Sequence, residues 1–304
     1  MTSLRTGSPF EHELAVAIDA SRQAATAILG FYNADSAETY TKGDGSPVTD
    51  ADLASDAVIR RVISNAFPDD ALLTEEGAKD EARLARSRCW IVDPIDGTAQ
   101  YVARTGRFDV MIALVVDGRP VVAASIHPVS GRIHAAIRGE GAWSCLGHDR
   151  VPFTVLQPQA PPRLVSSRWY GGSANGPVLD RIAAAVDAAD PPILEVGFQA
   201  RAFDESERVY DAFIGLPPPS HVSIAQEWDL ATVDLIVHEA GGRFTDCWGR
   251  LHRYNKRNTG ISGGILASAS SELHEALLKT IAPELPAQPP AEDPADDLTA
   301  TPIR

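Results

Sequence analysis

The chain has 304 residues, 44% of them hydrophobic and 22% charged, with a formal net charge of -14. That length and balance suit a globular protein with a large core and one or two domains. The acidic excess repels nucleic-acid backbones and anionic membranes, so a non-specific polyanion binder or membrane-surface protein is excluded; a small anionic substrate is not, provided positive charge is supplied locally, for instance by a metal ion.

In chain order, Met1 to Phe10 carries only Arg5 and lacks the apolar core of a signal peptide. Residues 11–32 then place Leu14, Ala15, Ile18, Ala25, Ile28 and Leu29 at helical spacing. Lys42-Gly43-Asp44-Gly45-Ser46-Pro47 reads as a mobile loop or hairpin tip. Asp50 or Asp52 opens the next helix, which buries Val58, Val62 and Ile63. Ala71 to Thr74 is a short strand that runs straight into Glu75-Glu76-Gly77, and Trp90-Ile91-Val92 is a buried strand ending at Asp93. Val110–Val116, Val121–Ile126 and Ile133–Ile137 read as strands joined by Asp117-Gly118 and Ser130-Gly131 turns, hence a largely antiparallel sheet.

A Pro-rich segment, Gln157 to Pro162, divides an N-terminal half (residues 1–156) from a C-terminal half (157–282). The second half alternates strand and helix: Leu164 to Ser166 a strand, Pro177 to Ala188 a helix, and Trp228 to Ala240 a helix ending in Gly241-Gly242. Residues 283–304, rich in Pro, Ala and Asp, read as a disordered tail. Three separated cysteines, Cys89, Cys145 and Cys247, with no C-x-x-C pair, argue against a disulfide framework or structural zinc and suit a reducing cytoplasm. No apolar run is long enough to span a bilayer, and the eight histidines form no ligand-spaced cluster.

The segment with the most chemistry is Asp93-Pro94-Ile95-Asp96-Gly97-Thr98. An apolar strand delivers Asp93, Pro94 interrupts the ladder, and Gly97 permits a tight turn into a helix. Two carboxylates on one corner suit a hard cation, Mg²⁺, Mn²⁺ or Ca²⁺ rather than zinc, and the amides of Gly97 and Thr98 at a helix start suit a phosphate. A capped turn made of ordinary Asp-Pro and Asp-Gly loop pairs is the plain alternative. The Asp-x-Asp-Gly-Thr pattern of haloacid-dehalogenase-type phosphatases does not fit, because Asp93 and Asp96 are three apart and lie well inside the chain.

Three motifs in order resemble the inositol monophosphatase family of metal-dependent, lithium-sensitive phosphatases: Glu75-Glu76-Gly77; Trp90 to Thr98; and Glu227-Trp228-Asp229-Leu230-Ala231 with Glu239-Ala240-Gly241-Gly242. The resemblance runs from the first helix to Ser268. It implies an α/β sandwich of alternating α-β-α-β-α layers and a Mg²⁺-dependent phosphomonoester hydrolase binding two or three ions, with Mn²⁺ a substitute. Glu75, Asp93 and the Ile95 carbonyl would hold one ion; Asp93, Asp96 and Asp229 a second; a third, weaker ion would sit near Glu75. Asp52 and Thr98 would orient the attacking water, and Asp96, Gly97, Thr98 and Asp229 would meet the substrate. Lys42 aligns with a family lysine on the loop near the third ion, or is an ordinary surface lysine. Asp229 and Asp52 are also plain helix-cap candidates, and Glu76 reads either as solvated or as a neighbour that supports the metal-binding acids without touching the ion.

The leaving-group side departs from the usual inositol monophosphatase pattern, because Gly215-Leu216-Pro217-Pro218-Pro219 stands where a short strand and a substrate-contacting acid are usual. Leu251 to Lys256 resembles a segment of the CysQ-type bisphosphate nucleotidases. There Tyr254 would stack on a base, and Arg201, Arg253 and Lys256 would meet a second phosphate. The reading leans to a 3'(2'),5'-bisphosphate nucleotide, with inositol 1-phosphate or histidinol phosphate as alternatives. A non-catalytic pseudo-phosphatase is the competing class, and it is opposed by a carboxylate at every expected metal position. The family also makes a homodimer possible.

Overall fold

Helix α1 (Glu11–Ala34) and helix α2 (Asp50–Ala66) begin the fold, joined by a two-stranded ribbon of β1 (Thr39–Thr41) and β2 (Pro47–Thr49). The structure, a computed structural model, describes residues 9–43, 45–147, 149–167, 175–188, 199–204, 209–217 and 223–290. Lys42 sits at the ribbon's tip, the hairpin that the Gly and Pro residues imply. The cap of α2 is Thr49: neither Asp50 nor Asp52 serves, and Asp52 instead closes the box from the third helical position.

A seven-stranded sheet follows in the order β3 (Ala71–Thr74), β4 (Arg88–Asp96), β5 (Asp109–Val116), β6 (Arg119–His127), β7 (Arg132–Ile137), β8 (Gly141–Leu146) and β9 (Asp149–Phe153). Only the β3–β4 pair is parallel; the rest are antiparallel hairpins. β8 and β9 are not evident in the sequence, because Leu146 and Val151 face solvent at this edge and the hydrophobic alternation is weak.

The period-2 alternation of β5 explains the layering. Val110, Ile112 and Leu114 pack with α1 and α2. Met111, Ala113 and Val115 face the other way, onto helix α5 (Glu227–Glu239). α5 is apolar on nearly every side, with Leu230, Ala231, Val233, Leu235, Ile236 and Val237 all buried, which suits a helix covered on both faces.

Its far face meets a four-stranded sheet, ordered β10 (Leu164–Val165), β11 (Ala212–Gly215), β15 (Ile265–Ser268) and β13 (Arg243–Thr245). Helices α4 (Gly176–Ala185) and α6 (Ser271–Ile281) cover that sheet through Leu179, Ile182, Leu273 and Leu277. The layers are therefore α-β-α-β-α, as the sequence implies.

A short ribbon pairs β12 (Ala225–Gln226) with β14 (Gly260–Ile261), and helix α3 (Thr98–Val102) follows β4. The tail read from Pro283 is anchored at its start: Pro283 and Glu284 lie in a 3-10 turn, Glu284 pairs with Arg181 at 2.8 Å, and Leu285 packs beside α4 and α6. Residues 291–304 lie outside the described residues. No described helix is long and apolar enough to cross a membrane.

Candidate active site

β3 and β4 run parallel with Thr74 opposite Val92, and the Glu75 amide continues the ladder by donating to the Val92 carbonyl at 3.1 Å. Glu75 is thus set beside Asp93. Pro94 has no N–H to give β5, and the β4–β5 register shifts between Asp93 and Asp96. Asp93 Oδ1 accepts from the Ile95 amide at 3.0 Å, and Ser55 on α2 donates to the Pro94 carbonyl at 2.9 Å, so the corner is tied from inside and outside.

Gly97 then takes a left-handed φ of 95°, and a Cβ there would stand 3.0 Å from the Arg107 carbonyl. Thr98 Oγ1 donates to Asp52 Oδ1 at 2.9 Å and lies 3.2 Å from the Ile95 carbonyl. α3 is only five residues long, so the attraction for phosphate expected of a helix start has little dipole behind it and rests on local amides.

Asp52 and Asp229 arrive by the same device. Each sits at the third position of its helix and accepts from the backbone of the capping residue: Asp52 Oδ2 from the Thr49 amide at 2.8 Å, Asp229 Oδ2 from the Gln226 amide at 2.7 Å. The cap residues are Thr49 and Gln226, so Asp229 is not the N-cap of α5. The box leaves each aspartate with a second oxygen. That of Asp52 goes to Thr98.

Electrostatics join these pieces. Burial first, and then the charges of Glu75, Asp96, Asp229 and Asp52, hold the Asp93 carboxyl well above the ordinary carboxylate range. Burial also raises Asp229 well above it, offset in part by the Gln226 amide and reinforced by Asp96 and Glu75. Asp96 is pushed up to about 7, by burial and by Asp109, against the opposing hydrogen bond from Gln199. Asp52 rises through burial, moderated by Thr49 and Thr98. Such a cluster carries more negative charge than its surroundings neutralise.

The one cation reaching it from the ribbon is Lys42, whose Nζ donates to Glu75 and Glu76 at 2.6 Å each. Burial opposes the charge on Lys42, but these two carboxylates raise its pKa on balance. Lys42 is therefore not an ordinary surface lysine, nor is Glu76 merely solvated.

Two participants carried no usable sequence signal. Asp109 lies directly opposite Asp96 in the β4–β5 register, at the start of an otherwise apolar strand, and is 2% exposed. Gln199, before a 3-10 turn at Ala200–Phe203, donates to Asp96 Oδ2 at 2.6 Å.

The leaving-group residues fare differently. Tyr254 is 2% exposed, its hydroxyl donates to Asp234 of α5 at 2.8 Å, and its amide donates to the Gly118 carbonyl. The Gly118 turn adjoins Arg88, at the opposite end of β4 from Asp93, roughly 17 Å of strand away. Tyr254 therefore cannot stack on a base at this site. Arg253 lies against the same turn. Lys256 is buried and ion-paired to Glu227 at 3.2 Å. Arg201 is buried and paired with Asp109 at 3.2 Å. Of the Gly215–Pro219 segment, Gly215 ends β11, while Pro218 and Pro219 lie outside the described residues.

The model of the inositol monophosphatase family matches residues 10–173 and 210–285. The chain belongs to that family. It is a phosphoric monoester hydrolase of the family. A histidinol-phosphatase from Chlorobaculum parvum is 29% identical over 272 residues, covering 88% of this chain and 96% of that protein. A Nus factor SuhB from Haemophilus influenzae is 30% identical over 286 residues, 90% of this chain and 97% of its own. The solved CysQ of Bacteroides thetaiotaomicron superposes with a TM-score of 0.68 at 24% identity, over 86% of this chain and 98% of that one, a likeness of fold.

Family members generally depend on Mg²⁺. The donors here fit that ion: Glu75, Asp93, Asp96 and Asp229 offer hard carboxylate oxygens, and burial together with neighbouring negative charge drives up the carboxyl pKa values of Asp93, Asp96 and Asp229. As the side chains stand, each is engaged by a protein donor or neighbour, and among the described residues no three His, Cys, Asp or Glu side chains are gathered tightly enough to hold an ion. The fit is one of chemistry and charge.

Proposed function

We propose that the chain is a Mg²⁺-dependent hydrolase of a small phosphomonoester, with Glu75, Asp93, Asp96, Asp229 and the Ile95 carbonyl as its metal ligands. The observation that carries this is the buried Asp93 carboxyl, whose charge is opposed first by burial and then by those of Glu75, Asp96, Asp229 and Asp52. Bound there, Mg²⁺ would stabilise charge on the phosphoryl oxygens and make a water acidic enough to attack near neutral pH. Those five donors would hold two ions, and Glu75, which now accepts from Lys42, would lie near a third.

The protein's own part follows from the Thr98–Asp52 hydrogen bond. Thr98 Oγ1 donates its hydrogen bond to Asp52, so the Thr98 oxygen is left as an acceptor toward a water. As that water's oxygen bonds to phosphorus, its proton passes by way of Thr98 to Asp52; the phosphorus–oxygen bond to the alcohol breaks, and the alkoxide takes a proton from solvent to leave as the alcohol. Burial holds the pKa of Asp52 above that of a free carboxylate, which suits a group that must take up a proton. Gly97 and Thr98 amides orient the phosphoryl oxygens.

Three phosphomonoester classes are candidates: a 3'(2'),5'-bisphosphate nucleotide, an inositol 1-phosphate and histidinol phosphate. A nucleotide would need Tyr254 and Lys256, and both are spent inside the protein. A small metabolite with one phosphate fits better, and the match to a histidinol-phosphatase over 88% of this chain puts histidinol phosphate on the test panel with the other two. The test is phosphate release from that panel by purified protein with Mg²⁺ or Mn²⁺. Activity in metal that vanishes in Asp93→Asn supports the reading. A folded protein inert on every ester would leave only the pseudo-phosphatase.

A further inference from the structure

The β4–β5 register sets two aspartates side by side, Asp96 and Asp109. Like charges directly opposite on neighbouring strands repel, and here both are largely withdrawn from water. The charge of Asp109 is among the influences that raise Asp96. Something must separate the two roles.

That something comes from the second half of the chain. Gln199 and Arg201 flank the start of the 3-10 turn at Ala200–Phe203, and both side chains are buried. Arg201 Nε reaches Asp109 Oδ1 at 3.2 Å, and its terminal nitrogen donates to Gln199 Oε1 at 2.5 Å. Gln199 Nε2 in turn donates to Asp96 Oδ2 at 2.6 Å. Ser125 Oγ donates to the other oxygen of Asp109 at 3.3 Å. The amide of Gln199 is thereby fixed in one orientation, because its oxygen faces Arg201 and only its nitrogen is left for Asp96.

We propose that Asp109, Arg201 and Gln199 form a positioning relay for Asp96. Arg201 ties down Asp109, so that Asp109 does not compete as a metal ligand. Gln199 occupies one oxygen of Asp96 and leaves the other to face the ion. This inference rests on the metal-site reading proposed above. It also gives the second half a role beyond Asp229, for its turn sets the geometry of a ligand that belongs to the first half. Partners of this kind orient a ligand without touching the metal or the substrate, and losing one typically weakens metal binding about 10–100-fold.

The experiment is calorimetric titration of Mn²⁺ alone into chelator-stripped full-length protein, with thermal unfolding as the check on folding. Wild type is expected to bind. Gln199→Ala is expected to bind about 10–100-fold more weakly, with kcat recovering once Mn²⁺ is saturating. Asp109→Asn/Arg201→Met removes the charge pair together and should weaken binding similarly. Adding Gln199→Ala to that pair should cost little more, because all three residues act through one hydrogen bond. Should Gln199→Ala fail to fold, Gln199→Met keeps the volume and answers the same question. Unchanged Mn²⁺ affinity in the Gln199 variant, or full additivity in the triple variant, overturns the relay. Absence of Mn²⁺ binding in wild type overturns instead the metal-site reading on which it rests.

Discussion

Replacing Asp96 with Asn should change how stability depends on pH. In the metal-free protein the Asp96 carboxyl is raised from an ordinary 3.8 to about 7. An acid raised in the folded state binds more protons there than in the unfolded chain between those two values. Its contribution is present in full below the unfolded value and is lost as pH rises through the folded one. A shift of about three units corresponds to about 4 kcal/mol at about 1.36 kcal/mol per unit. Asp96 retains partial contact with solvent, which screens the effect to about 2 kcal/mol. Between pH 5 and pH 8 about two of those three units are crossed, so about 1.3 kcal/mol is lost there, a fall in Tm of about 3–5 °C for a chain of this size.

The assay is thermal unfolding in excess chelator at both pH values. Wild type should lose stability across the interval, through Asp96 together with Asp93 and Asp229, which are shifted the same way. Asp96→Asn should lose about 3–5 °C less. Added Mg²⁺ should raise the wild-type Tm more at pH 8 than at pH 5, since protons and the cation compete for the same oxygens. Equal slopes for wild type and Asp96→Asn would refute the reasoning.

Other perturbations test other parts of the molecule. Lys42→Met removes a cation seated on Glu75, so Mg²⁺ should bind more tightly, by several-fold in a titration of the stripped protein. Tyr254→Phe deletes the hydrogen bond to a buried Asp234 and should cost about 1–3 kcal/mol in denaturant unfolding. It should leave kcat/KM unchanged on every ester, nucleotides included. Gly97→Ala forces a side chain into left-handed backbone and against the Arg107 carbonyl. About 1–3 kcal/mol of stability and most phosphate release should be lost together, measured by unfolding and turnover on one preparation.

Local pattern carries far into this protein. The apolar strand before Asp93, the proline that breaks its ladder and the glycine that turns it are covalent and short-range facts, so the corner is readable from six residues. The layer order comes from the family resemblance; the continuous apolar runs of β5 and α5 are what let both be covered on two faces. The caps are not readable by position, since Asp, Thr and Gln all satisfy helix ends and only the hydrogen bonds tell which residue caps and which closes the box.

Long-range pairing is another matter. That Asp96 faces Asp109 depends on where β4 slips against β5, and that Gln199 reaches Asp96 depends on the second half folding back across the first. Tyr254 and Lys256 look like ligand residues in a string of letters, yet burial and the nearest opposite charge commit them to the interior. The chemistry of the Asp93–Thr98 corner is thus written in adjacent residues, because backbone sterics act between neighbours. The assignment of charged side chains to site or core is made only when folding brings partners together, because desolvation and Coulomb energy depend on distance in space and not along the chain.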